Sequence, residues 1–184
     1  MTKEVKRCKW LNLKNEIYIH YHDYEWGVPT YDDKELFEML ILESFQAGLS
    51  WECVLNKREA FREAFDNFDI DKIINYNDTK IEKLLQNKNI IRNKLKINAT
   101  IKNSIIFKDI TKEFKTFSNY IWNFSNNKII YENDKTTSIL SDTISKDLIK
   151  RGMKFVGSTI IYSYLQAIGI INSHDEECYL AKEK

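Results

Sequence analysis

A single proline and five glycines in 184 residues leave this chain few places to turn sharply. Proline fixes φ and removes a backbone donor, and glycine supplies the left-handed conformations that tight turns use. A chain this poor in both is expected to be built from helices. The stretch from Leu36 to Trp51 shows the matching periodicity: Leu36, Leu40 and Ala47 recur at helical spacing with Met39 beside them. It reads as a helix, a break at Gly48 and a second helix start. Glu43 falls on the same stripe, four residues after Met39 and seven after Leu36. A carboxylate on an apolar face must find donors, rise in pKa or face a cavity. Otherwise the last turn of the helix reaches solvent and Glu43 is a surface acid. The neighbouring aromatics favour the cavity.

The remaining chain is expected to continue in short helices. Residues 1–31 read as irregular and aromatic, with Trp10, Tyr18, Tyr21, Tyr24 and Trp26 close together among Cys8, His20 and His22. Asp32 or Asp33 can cap the helix that ends near Ala47, and Ser50 one from Trp51 to Phe65. Asp69 opens a short helix through Ile74, and Asp78 another to about Gln86. A three- or four-residue break at Asn87, Lys88 and Asn89 then leads into a basic helix reaching about Phe107. Phe117–Phe124 is helical, residues 125–138 form a polar loop, and a helix from Ser141 or Asp142 ends at Gly152, a fitting C′ residue. Ser158–Ile170 is an apolar helix of the core. The expected fold is all-α, a single domain over residues 1–184 in two helical lobes.

With 43% hydrophobic and 30% charged residues, the composition is that of a soluble globular protein. No apolar run is long enough for a membrane span, and the N-terminus carries no apolar segment of a secretory signal. The expected compartment is the cytoplasm, and nothing suggests a dimer. The net charge is only +1, but its distribution is uneven. Residues 31–78 carry 12 acids and 5 bases, whereas residues 80–102 set Lys80, Lys83, Lys88, Arg92, Lys94, Lys96 and Lys102 against Glu82 alone. That asymmetry suits one face meeting a polyanion, or simply a solvated basic helix.

Two groups of residues carry chemistry. His174 and Cys178 stand at i, i+4, one face of a helical turn. With Cys8 and His22 they supply two thiolates and two imidazoles, a donor set that tetrahedral zinc prefers and that would clip the two ends of the chain together. The spacing departs from zinc-finger signatures, and a Cys8–Cys178 disulfide is disfavoured in a reducing compartment. Cys53 reads as inert core. The second group is Glu43 with Trp10, Tyr18, Tyr21, Trp26 and Trp51: aromatic planes and one carboxylate can sandwich a flat heterocycle and accept from its exocyclic amine, or the rings can merely fill the core. The basic turn after Gln86 adds a helix N-terminus whose free amides suit a phosphate.

Cys8-Lys-Trp10, Tyr21 to Pro29, Leu36-Phe-Glu-Met, Gln46-Ala-Gly-Leu-Ser-Trp51, Asn89 to Lys94, Lys150 to Gly157 and the tail from Gln166 to Cys178 together resemble the bacterial DNA-3-methyladenine glycosylase I family. The resemblance spans nearly the whole chain in order. It implies a helix-hairpin-helix glycosylase fold, with the motif at about residues 79–107, and a structural zinc ion that joins residues 1–31 to 170–184 through Cys8, His22, His174 and Cys178. It implies base recognition by Glu43 and Tyr21, pocket walls of Trp51, Trp10 and Trp26, and a Gly48–Leu49 loop that wedges into the base stack. Lys88, Asn89, Arg92 and Lys94 would grip backbone phosphates, with Asn89 standing in place of the usual hairpin glycine and holding a positive φ. The implied activity is excision of N3-methyladenine from alkylated double-stranded DNA in base excision repair, with free 3-methyladenine as product. No lysine sits on the pocket stripe, so a monofunctional enzyme leaving an abasic site is expected. Asp142 and Asp147 receive no role. The rival readings are a damage-binding protein without catalysis and a zinc-stapled interaction module.

Overall fold

The structure, a computed structural model, is described over residues 5–181. The first four and last three residues of the expected 1–184 domain lie outside the described residues. Ten α-helices follow one another: α1 (Glu16–Tyr24), α2 (Asp33–Gln46), α3 (Trp51–Leu55), α4 (Arg58–Ala64), α5 (Ile70–Ile73), α6 (Asp78–Gln86), α7 (Lys94–Phe114), α8 (Phe117–Asn123), α9 (Ile139–Arg151) and α10 (Ser158–Ala167). Two-residue strands, β1 (Ile130–Tyr131) and β2 (Ile171–Asn172), pair in parallel. The all-α expectation stands, with this small pair bringing the tail beside the polar loop.

Helix α2 is the axis of the molecule. The side chain of Asp32 accepts from the amides of Lys34 and Glu35 to start it, and every residue from Leu36 to Phe45 is buried. It packs against α10, α3, α7 and α8. A helix buried all round needs no polar face, and so the expected single stripe understated it. The Asp33 carboxylate reaches across to accept from the amides of Phe117 and Ser118, capping α8 from the central helix. The Tyr164 hydroxyl donates to the Leu36 carbonyl and ties α10 to the same helix.

Several boundaries differ from the expected ones. The aromatic N-terminal segment is not irregular throughout: Asn15 caps α1 by accepting from the Tyr18 amide, and the helix buries Tyr21 and His22. Its aromatic and histidine residues have middling helix propensity, so tertiary packing decides. The helix expected over Trp51–Phe65 breaks at Asn56 and Lys57 into α3 and α4. Asn77 rather than Asp78 caps α6, and Ser138 caps α9 in a reciprocal capping box with Ser141. α10 stops at Ala167, and the chain leaves it to form β2. Gly152 does close α9 in the left-handed conformation. The break after α6 covers residues 87–93 rather than three or four residues, and α7 runs to Phe114.

Candidate functional site

The C-terminal half of α2 lines a cavity of about 230 Å3 with Glu43 and Gln46. α1 contributes Tyr18 and Tyr21, the start of α3 contributes Trp51, α10 contributes Ser163 and Gln166, and Trp10 and Trp26 complete the wall. Tyr21 and Trp51 lie with ring centroids 5.4 Å apart, and Trp10 meets Trp26 edge-on at 4.9 Å. All six aromatic and acidic residues grouped from the sequence, Glu43 with Trp10, Tyr18, Tyr21, Trp26 and Trp51, are brought together here. Sequence reasoning missed Gln46, Ser163 and Gln166 as lining residues. Gln46 sits three residues after Glu43 on the same helix, a signal the stripe contained. The α10 residues carried no signal of their own.

The polar atoms of this cavity are unusual in lacking partners. Glu43 Oε2, Gln46 Oε1 and Trp51 Nε1 are all buried without a hydrogen bond. Such atoms are rare in native interiors and each costs about 1–3 kcal/mol relative to a satisfied group. Burial alone pushes the Glu43 carboxyl well above the usual carboxylate range. The Tyr21 hydroxyl is likewise raised by burial and then by Glu43, and Tyr18 is pushed up to about 12 by burial with Glu52 and Glu43 adding to it. A site that presents two acceptors and a donor between aromatic planes suits a flat, electron-poor heterocycle bearing an amine.

A larger open groove of about 950 Å3 uses a different face of α1, with Ile17, His20 and Tyr24. Its arginines are already paired: Arg58 with Glu25 and Glu38, Arg62 with Glu38 and Glu59. It therefore lacks the unmet polar groups that mark the smaller cavity.

Beside Trp10 and Trp26 lies a second cluster. The ligand atoms of Cys8, His22 and Cys178 are all buried and within 4.8 Å of one another, a group that can hold a metal ion. Each imidazole is oriented from outside. His22 Nδ1 lies 2.8 Å from Asp23 Oδ1, and Arg7 forks onto that same carboxylate. His174 Nδ1 lies 3.0 Å from Asn172 Oδ1. An oxygen at Nδ1 favours the tautomer whose Nε2 lone pair faces the cluster, the arrangement that outer-shell oxygens give to metal-bound histidines; His22 Nε2 accepts from the Cys8 amide at 3.4 Å. His174 Nε2 is buried and unpartnered, and its ring meets that of His22 edge-on at 5.2 Å. His174 and Cys178 do not share a helical turn as expected; they lie in turns after β2, and the i, i+4 spacing has no helical meaning here. Gly27 makes room, since a Cβ at its φ of +76° would come 2.9 Å from His174 Cε1. Cys53 is half-buried rather than core.

The Gly48–Leu49 turn joins α2 to α3. Gly48 holds φ +80° with open space around it, and Leu49 is 43% exposed while Trp51 beside it is buried. In the 87–93 turn the Asn87 side chain accepts from the Asn89 amide, and Ile90 is the buried anchor. Lys88, Arg92 and Lys94 are exposed and make no ion pair among the described residues. Asn89 is not at positive φ, so the strain expected there is absent. Its backbone stays out of the left-handed region because the seven-residue turn supplies the reversal over more positions than the short break allowed. Lys96 departs from the solvated basic face: it is buried and donates to the carbonyls of Phe45 and Ala47. Asp147 is engaged by Tyr120 and Arg151, away from the cavity.

A helical scaffold that holds an aromatic, acid-bearing cavity next to a basic helical hairpin defines a base-handling protein. The chain matches the family model for methyladenine glycosylase over residues 10–182. It is 42% identical over 180 residues to DNA-3-methyladenine glycosylase 1 of Escherichia coli, covering 95% of this chain and 96% of that protein. It is similar to a crystal structure of 3-methyladenine DNA glycosylase I with a TM-score of 0.92 and 40% identity, covering 96% and 100% of the two chains. A Staphylococcus aureus structure reporting 3-methyladenine recognition by its glycosylase I gives 0.88 and 33%, covering 93% and 95%. This chain belongs to the methyladenine glycosylase family.

Proposed function

We propose that this chain flips an alkylated adenine out of double-stranded DNA into the Glu43 cavity and hydrolyses its N-glycosidic bond. Family membership makes it a DNA repair glycosylase of the 3-methyladenine type. The observation that carries the residue-level reading is Glu43: a buried carboxyl with an unpartnered oxygen, facing an aromatic cavity. Methylation at N3 makes the purine cationic and a good leaving group. A carboxyl whose proton affinity burial raises can ionise against that cation, whereas neutral adenine offers no such compensation. Trp51 and Tyr21 add stacking and a cation–π attraction that favours the charged base. Tyr21, Trp10 and Trp26 act as walls that exclude water.

Water adds its oxygen to C1′ while the base departs with the bonding electron pair as neutral 3-methyladenine, and the proton that the water loses passes to solvent, leaving an abasic site. No lysine lines the cavity, which supports hydrolysis by water rather than a covalent intermediate. Leu49 on the Gly48 turn fills the vacated stack, and Lys88, Arg92, Lys94 and the Asn89 turn hold phosphates. Cys8, His22 and Cys178, with His174 nearby, would hold one zinc ion, which would supply a structural clip rather than chemistry. No helix among the described residues is long and apolar enough to cross a membrane. We place the protein in the cytoplasm, on the nucleoid, as a monomer.

The test is release of free base from methylated duplex DNA with protein in excess, separated by chromatography. Prompt loss of 3-methyladenine with 7-methylguanine retained is the expected result. Tight binding of alkylated duplex with no base released would instead favour a damage-binding protein.

A further inference from the structure

The hydrogen bonds of Lys96 link two parts that the proposed function treats separately. Lys96 lies in the first turn of α7, directly after the phosphate-facing turn, yet it is only 6% exposed. Its Nζ donates to Phe45 O at 2.8 Å and Ala47 O at 2.7 Å. These carbonyls belong to the last turn and C-cap of α2, where no intrahelical donor remains and the helix dipole is negative. α2 has no other basic residue in its last turn. Among the described residues no carboxylate pairs with Lys96, and its Nζ lies 5.8 Å from the centre of the Phe155 ring. Gly48 and Leu49 follow immediately after the carbonyls it holds.

A buried cation is expensive to keep, and a neutral core residue of that length would pack as well. What the ammonium adds is a directional link between the start of α7 and the end of α2. We propose that Lys96 is a positioning residue that fastens the Gly48–Leu49 turn to the hairpin, so that phosphate grip and insertion into the base stack act as one rigid unit. This rests on the proposed function of both loops. Lys96 touches neither base nor phosphate; it acts through Leu49. The consequence is specific: losing Lys96 should impair extrusion of the base, not its recognition or the bond cleavage that follows.

The experiment compares Lys96→Met with wild type in single-turnover excision from a duplex carrying paired 3-methyladenine and from the same lesion in single-stranded DNA. Wild-type release from duplex is measured first; its absence would be a failure of the functional reading and not of this one. With wild type active, Lys96→Met is expected to slow duplex excision by on the order of 100-fold, as a displaced positioning group does, with excision from single strands changed less than threefold. Free 3-methyladenine should quench tryptophan fluorescence with the same affinity in both. The double variant with Leu49→Ala should be no slower on duplex than Leu49→Ala alone, since one loop carries both effects. Equal losses on duplex and single strand, undiminished duplex excision, or additive effects with Leu49→Ala would each overturn the proposal. Should the Met variant fail to fold, Lys96→Arg, which keeps the charge but moves the donors away from the two carbonyls, should lower the duplex-to-single-strand ratio in the same direction, and an unchanged ratio would overturn the proposal.

Discussion

The cavity and the metal cluster are neighbours that share Trp10 and Trp26, and both hold buried polar atoms without partners. They differ in how those atoms are supported. Asp23 with Arg7, and Asn172, orient the imidazoles of His22 and His174, and the ligand atoms of Cys8, His22 and Cys178 lie within 4.8 Å of one another, with His174 outside that group. Around Glu43 nothing fixes the carboxyl from outside: its Oε2 is left without a partner and burial is the sole cause of its raised pKa. A permanent occupant is served by ordered lone pairs. A transient one is better served by a group that changes charge as the ligand enters and leaves.

The contrast breaks most visibly if the metal goes. Cys178→Ser, or treatment with a strong chelator, should abolish stoichiometric zinc by atomic absorption and loosen both chain ends. A structural zinc site is worth roughly 10 kcal/mol or more in apparent binding, so loss of several kcal/mol in chemical denaturation is expected. Burial pushes the Cys8 thiol up to about 12, and a bound cation must reverse that to hold a thiolate. A Cys178→Ser protein equally stable and equally zinc-loaded would refute the ligand set. Cys178 Sγ and His22 Nε2 stand 3.6 Å apart, close enough for one ion to bind both.

The second prediction sharpens the same contrast, because Glu43→Gln should act in opposite directions on activity and stability. Excision should fall by on the order of 100- to 1,000-fold, the usual loss when a buried group that stabilises charge is removed. Stability at neutral pH should rise by about 1–3 kcal/mol, as an unsatisfied buried carboxyl is replaced by a neutral amide. The pH dependence follows from the raised pKa. A folded carboxyl that binds its proton more tightly than the unfolded one favours folding at low pH, and that contribution is lost as pH rises from the ordinary glutamate value through the raised folded one. The gap between the variant and wild type should therefore widen with pH in thermal melts. A gap that stays flat or narrows would mean Glu43 is ionised and solvated in the free protein.

These two sites were legible in the sequence to different degrees, and for physical reasons. The donors Cys8, His22, His174 and Cys178 were visible as soft ligands at opposite ends of the chain, but not their geometry: the apparent helical spacing of His174 and Cys178 is an accident of a turn following β2. Glu43 was legible because a charge on a helical apolar stripe violates the pattern. Its neighbours Ser163 and Gln166 on α10 were not, since nothing in a polar residue at the edge of an apolar helix says which cavity it meets. Lys96 was misread for the opposite reason. In a run of seven basic residues against one acid it looked like one more solvated charge, and only the end of α2 packed over it reveals otherwise.

Outside both sites, the hairpin cations should show a purely electrostatic signature. Arg92→Ala removes one exposed charge with no internal partner among the described residues. Affinity for undamaged duplex should weaken several-fold at low salt, and the slope of log affinity against log salt should fall by about 0.9, one phosphate contact. The excision rate at saturating protein should hardly change. An unchanged salt slope would take Arg92 out of the DNA interface.

The smallest effect is expected at Asn89, the position where the sequence suggested the largest departure. Were its backbone left-handed, Asn89→Gly would relieve strain of about 1 kcal/mol or more and tighten DNA binding. But Asn89 is not among the positive-φ residues, and its amide is already satisfied by the Asn87 side chain while its carbonyl accepts from Lys57 Nζ at 3.3 Å. Glycine there would only free the unfolded chain, costing a few tenths to about 1 kcal/mol. DNA affinity should change less than threefold in either direction, and the melting temperature should fall slightly. A marked gain in affinity would show that the turn must pass through a left-handed conformation on DNA. The hairpin would then join the Glu43 cavity as a region that its ligand reshapes, leaving the metal cluster as the preformed one.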